Sequence, residues 1–115
     1  MRILSFYRAK GPASPPTPEH MAEMGALMKE MIEKGHLVAA GGFVGEGPGM
    51  HAELSNGKFS VSDIANPTLG FGGFGYLQAA SREEMEAVIK RFLEVAGDGE
   101  CVIWPCMEGP PTPAE

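Results

Sequence analysis

Apolar residues recur along the chain at two spacings, every second residue or every third to fourth, and the change from one to the other divides it into strands and helices. Arg2 to Tyr7 alternates, with Leu4 and Phe6 on one face and Ile3, Ser5 and Tyr7 on the other, which predicts a short strand apolar on both faces. Residues 8 to 17, with three prolines, Gly11 and Ser14, predict a connecting loop. Thr17 then supplies a hydroxyl cap, Pro18 suits the first helical position, and Glu19 sets negative charge at the positive end of the helix dipole. Met21, Met24, Leu27, Met28, Met31 and Ile32 follow as one stripe facing a core, and Gly35 ends the helix.

Leu37 to Phe43 reads as a second strand, made of small residues, and a glycine-rich loop follows at Gly45 to Gly49. His51 to Ser55 and Lys58 to Ser62 flank Asn56-Gly57, the pair suited to a type I′ turn because both central residues take positive φ, so a hairpin is expected. Its second arm runs into Asp63 and an Ile-Ala-Asn-Pro turn, which places one carboxylate at a strand end. Phe71 to Ala79 is a long glycine and aromatic strand. Ser81 to Glu84 forms a capping box, and Met85, Val88, Ile89, Phe92 and Leu93 make the following helix amphipathic as far as Gly97. Glu100 to Cys106 closes the series as a strand.

This order, β-α-β-hairpin-β-α-β, predicts an α+β domain of ferredoxin-like split βαβ type with an inserted hairpin, spanning residues 1–108, with a proline-rich tail at 109–115. Two helices cover only one face of such a sheet. The other face is expected to present residues drawn from Ile3, Tyr7, Phe74, Tyr76 and the Trp104 strand, a patch too apolar to stay open, and the simplest cover is a twofold homodimer.

Charge narrows the classes of partner. Nine basic against fifteen acidic residues give a net charge of −6 with no Lys/Arg cluster, which excludes a phosphate-tracking surface and hence nucleic acid. No apolar run approaches the ~20 residues of a membrane span and the N-terminus has no cleavable signal pattern, so no membrane association and a cytoplasmic location are expected. Cys101 and Cys106 lie five apart on one strand, roughly 16 Å at ~3.3 Å per residue and on opposite faces, so they are expected to remain unpaired thiols.

The Pro18-Glu19-His20-Met21 helix start, the Gly35 to Gly42 segment, the Asn56-Gly57-Lys58 turn and the Val61-Ser62-Asp63-Ile64-Ala65-Asn66-Pro67 stretch together resemble the YCII-related superfamily, in particular its DGPF branch. The resemblance covers nearly the whole chain. Where that branch has Asp-Gly-Pro-Phe this chain has Asp63-Ile64-Ala65-Asn66, so only the aspartate is kept. The resemblance implies a dimeric α+β barrel of two ferredoxin-like sheets packed face to face, with a small-molecule pocket in each protomer or at the seam. It also implies, for His20, the role of a histidine suspected in the YciI branch of acid/base work together with an aspartate. One relative in the superfamily is a dehydrochlorinating lyase.

On that footing His20 and Asp63 are the candidate catalytic pair, the carboxylate orienting an imidazole that moves a proton in a cofactor-free lyase or isomerase. Taken singly, His20 reads as a first-turn surface residue and Asp63 as a turn-forming Asx residue. Tyr7, Tyr76 and Trp104 are the candidate substrate-binding residues, able to line a pocket for a planar ligand or to form dimer core. No metal is expected: His20 and Glu23 share a helical face, but nothing matches the ligand spacings of zinc sites, and His36 is placed to meet the negative end of the first helix. Gly70 to Gly75 matches G-x-G-x-x-G literally, yet it lies before and within a strand instead of opening a helix, so it is no dinucleotide fingerprint. The competing reading is a dimeric module that binds a metabolite or a protein without turnover.

Overall fold

The structure, a computed structural model, describes residues 1–11, 17–43, 49–65 and 68–107. Its elements run β1 (Arg2–Ala9), α1 (Pro18–Glu33), β2 (Leu37–Gly42), β3 (Gly49–Ser55), β4 (Lys58–Ile64), β5 (Gly73–Gln78), α2 (Arg82–Ala96) and β6 (Gly99–Cys106). Four strands form an open antiparallel sheet in the order β2-β5-β1-β6, and β3 and β4 pair only with each other. The chain is therefore an α+β protein with antiparallel sheets, and no barrel closes among the described residues. The expected tail at 109–115, the Gly45 to Pro48 loop and the Asn66-Pro67 turn lie outside the described residues.

Local signals explain the element ends. Thr17 Oγ1 accepts the backbone N–H of His20 at 3.0 Å and opens α1. Ser81 Oγ accepts from Glu84 N–H at 3.1 Å, while the Glu84 carboxylate accepts from Ala80 N–H, a reciprocal cap that opens α2. Past the end of α1 the His36 backbone N–H donates to Met31 O at 2.8 Å, whereas its ring turns to the sheet, with Nδ1 3.1 Å from Gln78 O and Nε2 3.5 Å from Glu84. At the hairpin tip Asn56 and Gly57 both have positive φ, 52° and 78°, as the type I′ turn requires.

Boundaries shift where tertiary pairing extends or shortens an element. The hairpin arms are longer than the alternating run suggests, because Gly49 pairs with Ile64 and Met50 with Asp63. Asp63 thus lies inside β4 instead of beyond its end. Conversely β5 begins only at Gly73, since Leu69 and Gly70 take positive φ in a turn before it.

One face of the sheet packs on both helices. Ile3, Leu77, Leu27, Met31, Met85 and Val88 form the buried core, with Leu37, Ile89, Phe92, Val95 and Ile103 packed around them. The α1 stripe is narrower than its spacing suggests: Met21 and Ile32 are 61% and 60% exposed, because α2 and the sheet meet α1 mainly along Leu27 and Met31. Gly99 marks the closest backbone approach, for a Cβ there would stand 2.5 Å from Arg8 O and 2.9 Å from the Tyr7 ring.

Two glycine substitutions should therefore differ in sign. Gly99→Ala is expected to destabilise by about 1–3 kcal/mol through overpacking, whereas Gly25→Ala, in mid-helix with nothing within 4 Å of the new methyl, should stabilise by about 0.5–1 kcal/mol. Urea denaturation of the two variants measures both.

Candidate functional site

The register of β1 decides what lies on the face the helices leave open. Leu4 stands opposite Tyr76 and Trp104, and Phe6 opposite Phe74 and Val102, so these six side chains share that face. Phe43, just after β2, and Phe71, just before β5, join them. Phe6 is the hub: its ring centroid is 5.2 Å from Trp104 edge-on, 5.7 Å from Phe71 and 6.4 Å from Phe43 in a stack, and Phe43 is 5.8 Å from Phe74. These are the separations at which ring quadrupoles attract, so the row is a formed aromatic surface and not a chance cluster. Trp104 nevertheless remains 59% exposed.

A cation sits at the end of this row. Arg8 follows Leu4 and Phe6 in parity, and its guanidinium lies 4.1 Å from the Phe71 centroid. Nη1 donates to Leu69 O at 3.2 Å. Nε is 3.1 Å from Glu100 Oε1 but out of line with it, so this buried nitrogen has no aligned acceptor. At the opposite end of β1, Arg2 lies 5.8 Å from the Tyr76 ring. Rings flanked by guanidinium groups suit a planar ligand bearing a negative group, because a guanidinium presents a planar fork to a carboxylate.

The candidate residues divide between the two faces. Tyr76 and Trp104 are on the open face. Tyr7 is on the helix side, edge-on to Phe92 at 5.4 Å, with its hydroxyl donating to Gly97 O at 3.4 Å, so the three do not line one pocket. Ile3, expected on the open face, is likewise buried under the helices. His20 is half-buried in the first turn of α1, and Asp63 is exposed on the hairpin opposite Met50; no hydrogen bond or ion pair joins their side chains. Both belong to the end of the sheet where β1 finishes and the hairpin departs.

The residues that sequence reasoning missed are Phe6, Phe43, Phe71 and Arg8. Period-two spacing already grouped Leu4 with Phe6, but both faces of β1 are apolar, and alternation alone does not say which one the helices take.

Elsewhere, an open depression of about 700 Å³ at the end of α2 is lined by Lys10, Lys90, Leu93 and Asp98 among others, and one of about 280 Å³ between the helices is lined by Glu30, His36, Glu84 and Arg91 among others. Neither includes any of the five candidate residues. Among the described residues no three potential metal ligands gather, and no helix is long and apolar enough to cross a membrane.

Beneath the helices, burial pushes the Cys101 thiol above its ordinary value, partly offset by a hydrogen bond from Ser5. Burial also raises the Tyr7 phenol, helped by the nearby Cys101 and Asp98. Cys101 and Cys106 are both free thiols. Neither the sequence as a whole nor any part of it matches a family model or a curated protein.

These two shifts have one sign. A group that ionises less readily folded than unfolded lets the unfolded chain release its proton first, so stability holds below the unfolded values, 9.0 for the thiol and 10.0 for the phenol, and falls as pH rises through them. Urea midpoints should decline from about pH 9 upward, and Cys101→Ser should remove the earlier part of that decline.

Proposed function

We propose that the chain is a YCII-related protein of the DGPF type, a ferredoxin-like domain that acts as a homodimer and holds a small planar anion against the aromatic face of its sheet. The observation that carries this reading is the row Phe6, Phe43, Phe71, Phe74 and Trp104, ending in Arg8, on the face away from both helices. The order β2-β5-β1-β6, with one helix connecting β1 to β2 and another β5 to β6, supports the ferredoxin-like assignment. A face this rich in rings supports a partner, since single-domain surfaces seldom leave such a patch to water.

Binding asks less of the site than catalysis does. A binding module needs only the aromatic face and its guanidinium groups. A lyase or isomerase using His20 as acid/base and Asp63 to orient it needs those side chains within hydrogen-bond reach, directly or through one water, and within one protomer nothing links them.

The chain's single tryptophan, Trp104, reports on this face directly. Its fluorescence should be quenched saturably by 2-naphthoate, and Arg8→Gln should weaken that binding on the order of tenfold while sparing neutral 2-naphthamide. Phe6→Ala should weaken both. Absence of saturable quenching by either compound would overturn the reading.

A further inference from the structure

Among the described residues, the hairpin strands β3 and β4 pair only with each other. The hairpin's register puts Met50, Ala52, Leu54, Phe59, Val61 and Asp63 on one face, and His51, Glu53, Ser55, Lys58, Ser60, Ser62 and Ile64 on the other. Every one of these residues is exposed, with Met50 73%, Leu54 70% and Phe59 69% accessible. Apart from Asp63 and Ile64 at the base of the hairpin, this alternation is the pattern of a strand pair with one face buried, and a two-stranded hairpin alone in water is at best marginally stable. The described residues of its own chain leave this apolar face uncovered.

We infer that its cover is the aromatic sheet face of a second copy, the hairpin of each protomer lying as an arm across the other's Phe6, Phe74 and Trp104. Three observations commit the arm to that occupant. The surface it would cover is present in the same chain and open, with Trp104 59% exposed and Phe6 and Phe74 half-buried. The sizes agree: strands of seven residues at ~3.3 Å per residue reach roughly 23 Å, enough to cross four strands spaced ~4.8 Å apart. The charges agree as well, since Asp63 is the one ionisable group on the arm's apolar face, whereas the sheet face holds Arg2 and Arg8 against Glu100 alone. A reciprocal exchange about a twofold axis buries both faces of both copies and leaves nothing to polymerise.

The inference rests on the homodimer of the proposed function and adds to it the element that makes the contact and the carboxylate it delivers. Asp63 of each arm would enter the partner's aromatic site. That site is then incomplete in a single protomer, and the arm roofs the bound anion.

Sedimentation of the full chain, read together with Trp104 emission, tests this. Wild type should be dimeric at micromolar concentration, with blue-shifted emission. Phe59→Asp, on the apolar face of the arm, should weaken the dimer at least ~100-fold and shift the emission to the red, since it places an unpaired carboxylate in the contact. Ser60→Asp, on the opposite face, should change neither. Phe59 is exposed in the protomer, so circular dichroism of both variants should match wild type. A Phe59→Asp variant that dimerises as wild type does would overturn the arm while leaving a sheet-to-sheet dimer standing. Loss of the dimer without a change at Trp104 would place the arm elsewhere and also overturn it. A monomeric wild type would remove both dimer and arm, and naphthoate quenching would still decide the ligand reading independently.

Discussion

The molecule depends on a mismatch in coverage: two helices and a sheet apolar on both faces. Among the described residues, both helices pack on the same face of the sheet, over Ile3, Leu77 and Ile103. Because side chains alternate along a strand, placing Ile3 inward forces Leu4 and Phe6 outward, and the antiparallel register carries the same choice to Phe74, Tyr76, Val102 and Trp104. The aromatic face is thus the other half of one decision about parity. Its rings then organise around Phe6, and Phe43 and Phe71 fold in from the ends of neighbouring strands to meet it.

Close backbone approach makes this packing possible. Gly99 lets β6 come against Tyr7 and Arg8 O, and a Cβ at Gly41 would meet the Phe74 ring at 2.7 Å. Gly41 thereby leaves room for the Phe74 ring, and Gly73 lets β5 approach the Gly41 backbone, where a Cβ would stand 2.8 Å from Gly41 O. The G-x-G-x-x-G spelling has no such common cause: Gly70 takes a positive φ in the turn before β5, whereas a Cβ at Gly72 or Gly75 would find open space or ordinary contact. Arg8 follows from the same geometry, since its guanidinium rests on Phe71 and leaves Nε without an aligned acceptor at the end of the ring row.

The proposed assembly would resolve the two surfaces the protomer leaves open with one contact, the hairpin of each copy on the sheet of the other. It would also give Asp63 a place. On its own chain that carboxylate is exposed on the apolar face of the hairpin, opposite Met50. Across a twofold it would lie near guanidinium groups and rings, and, depending on how the arm crosses, near the end of the sheet to which His20 belongs. Binding and catalysis would then differ only in whether that approach is close enough for a proton to move.

Much of the fold was legible in the sequence because its signals are local. The Thr17 and Ser81 caps, the Asn56-Gly57 turn and the apolar stripe of α2 each act over a few residues, and each stands where its chemistry puts it. The α+β class also followed, from the alternation of strand-period and helix-period segments along the chain. The α1 stripe was legible in position but not in width, because the number of its residues that are buried depends on where α2 lies. The site was least legible. Tyr7 and Phe6 are neighbours with opposite fates, one under Phe92 and one at the centre of the ring row, and both are large, apolar and suited to either face. Hydrophobic pattern distinguishes buried from exposed, but where both sides of a strand are apolar it is silent on which helix or ring a side chain meets. Only the helices' choice of face, a tertiary event, decided that.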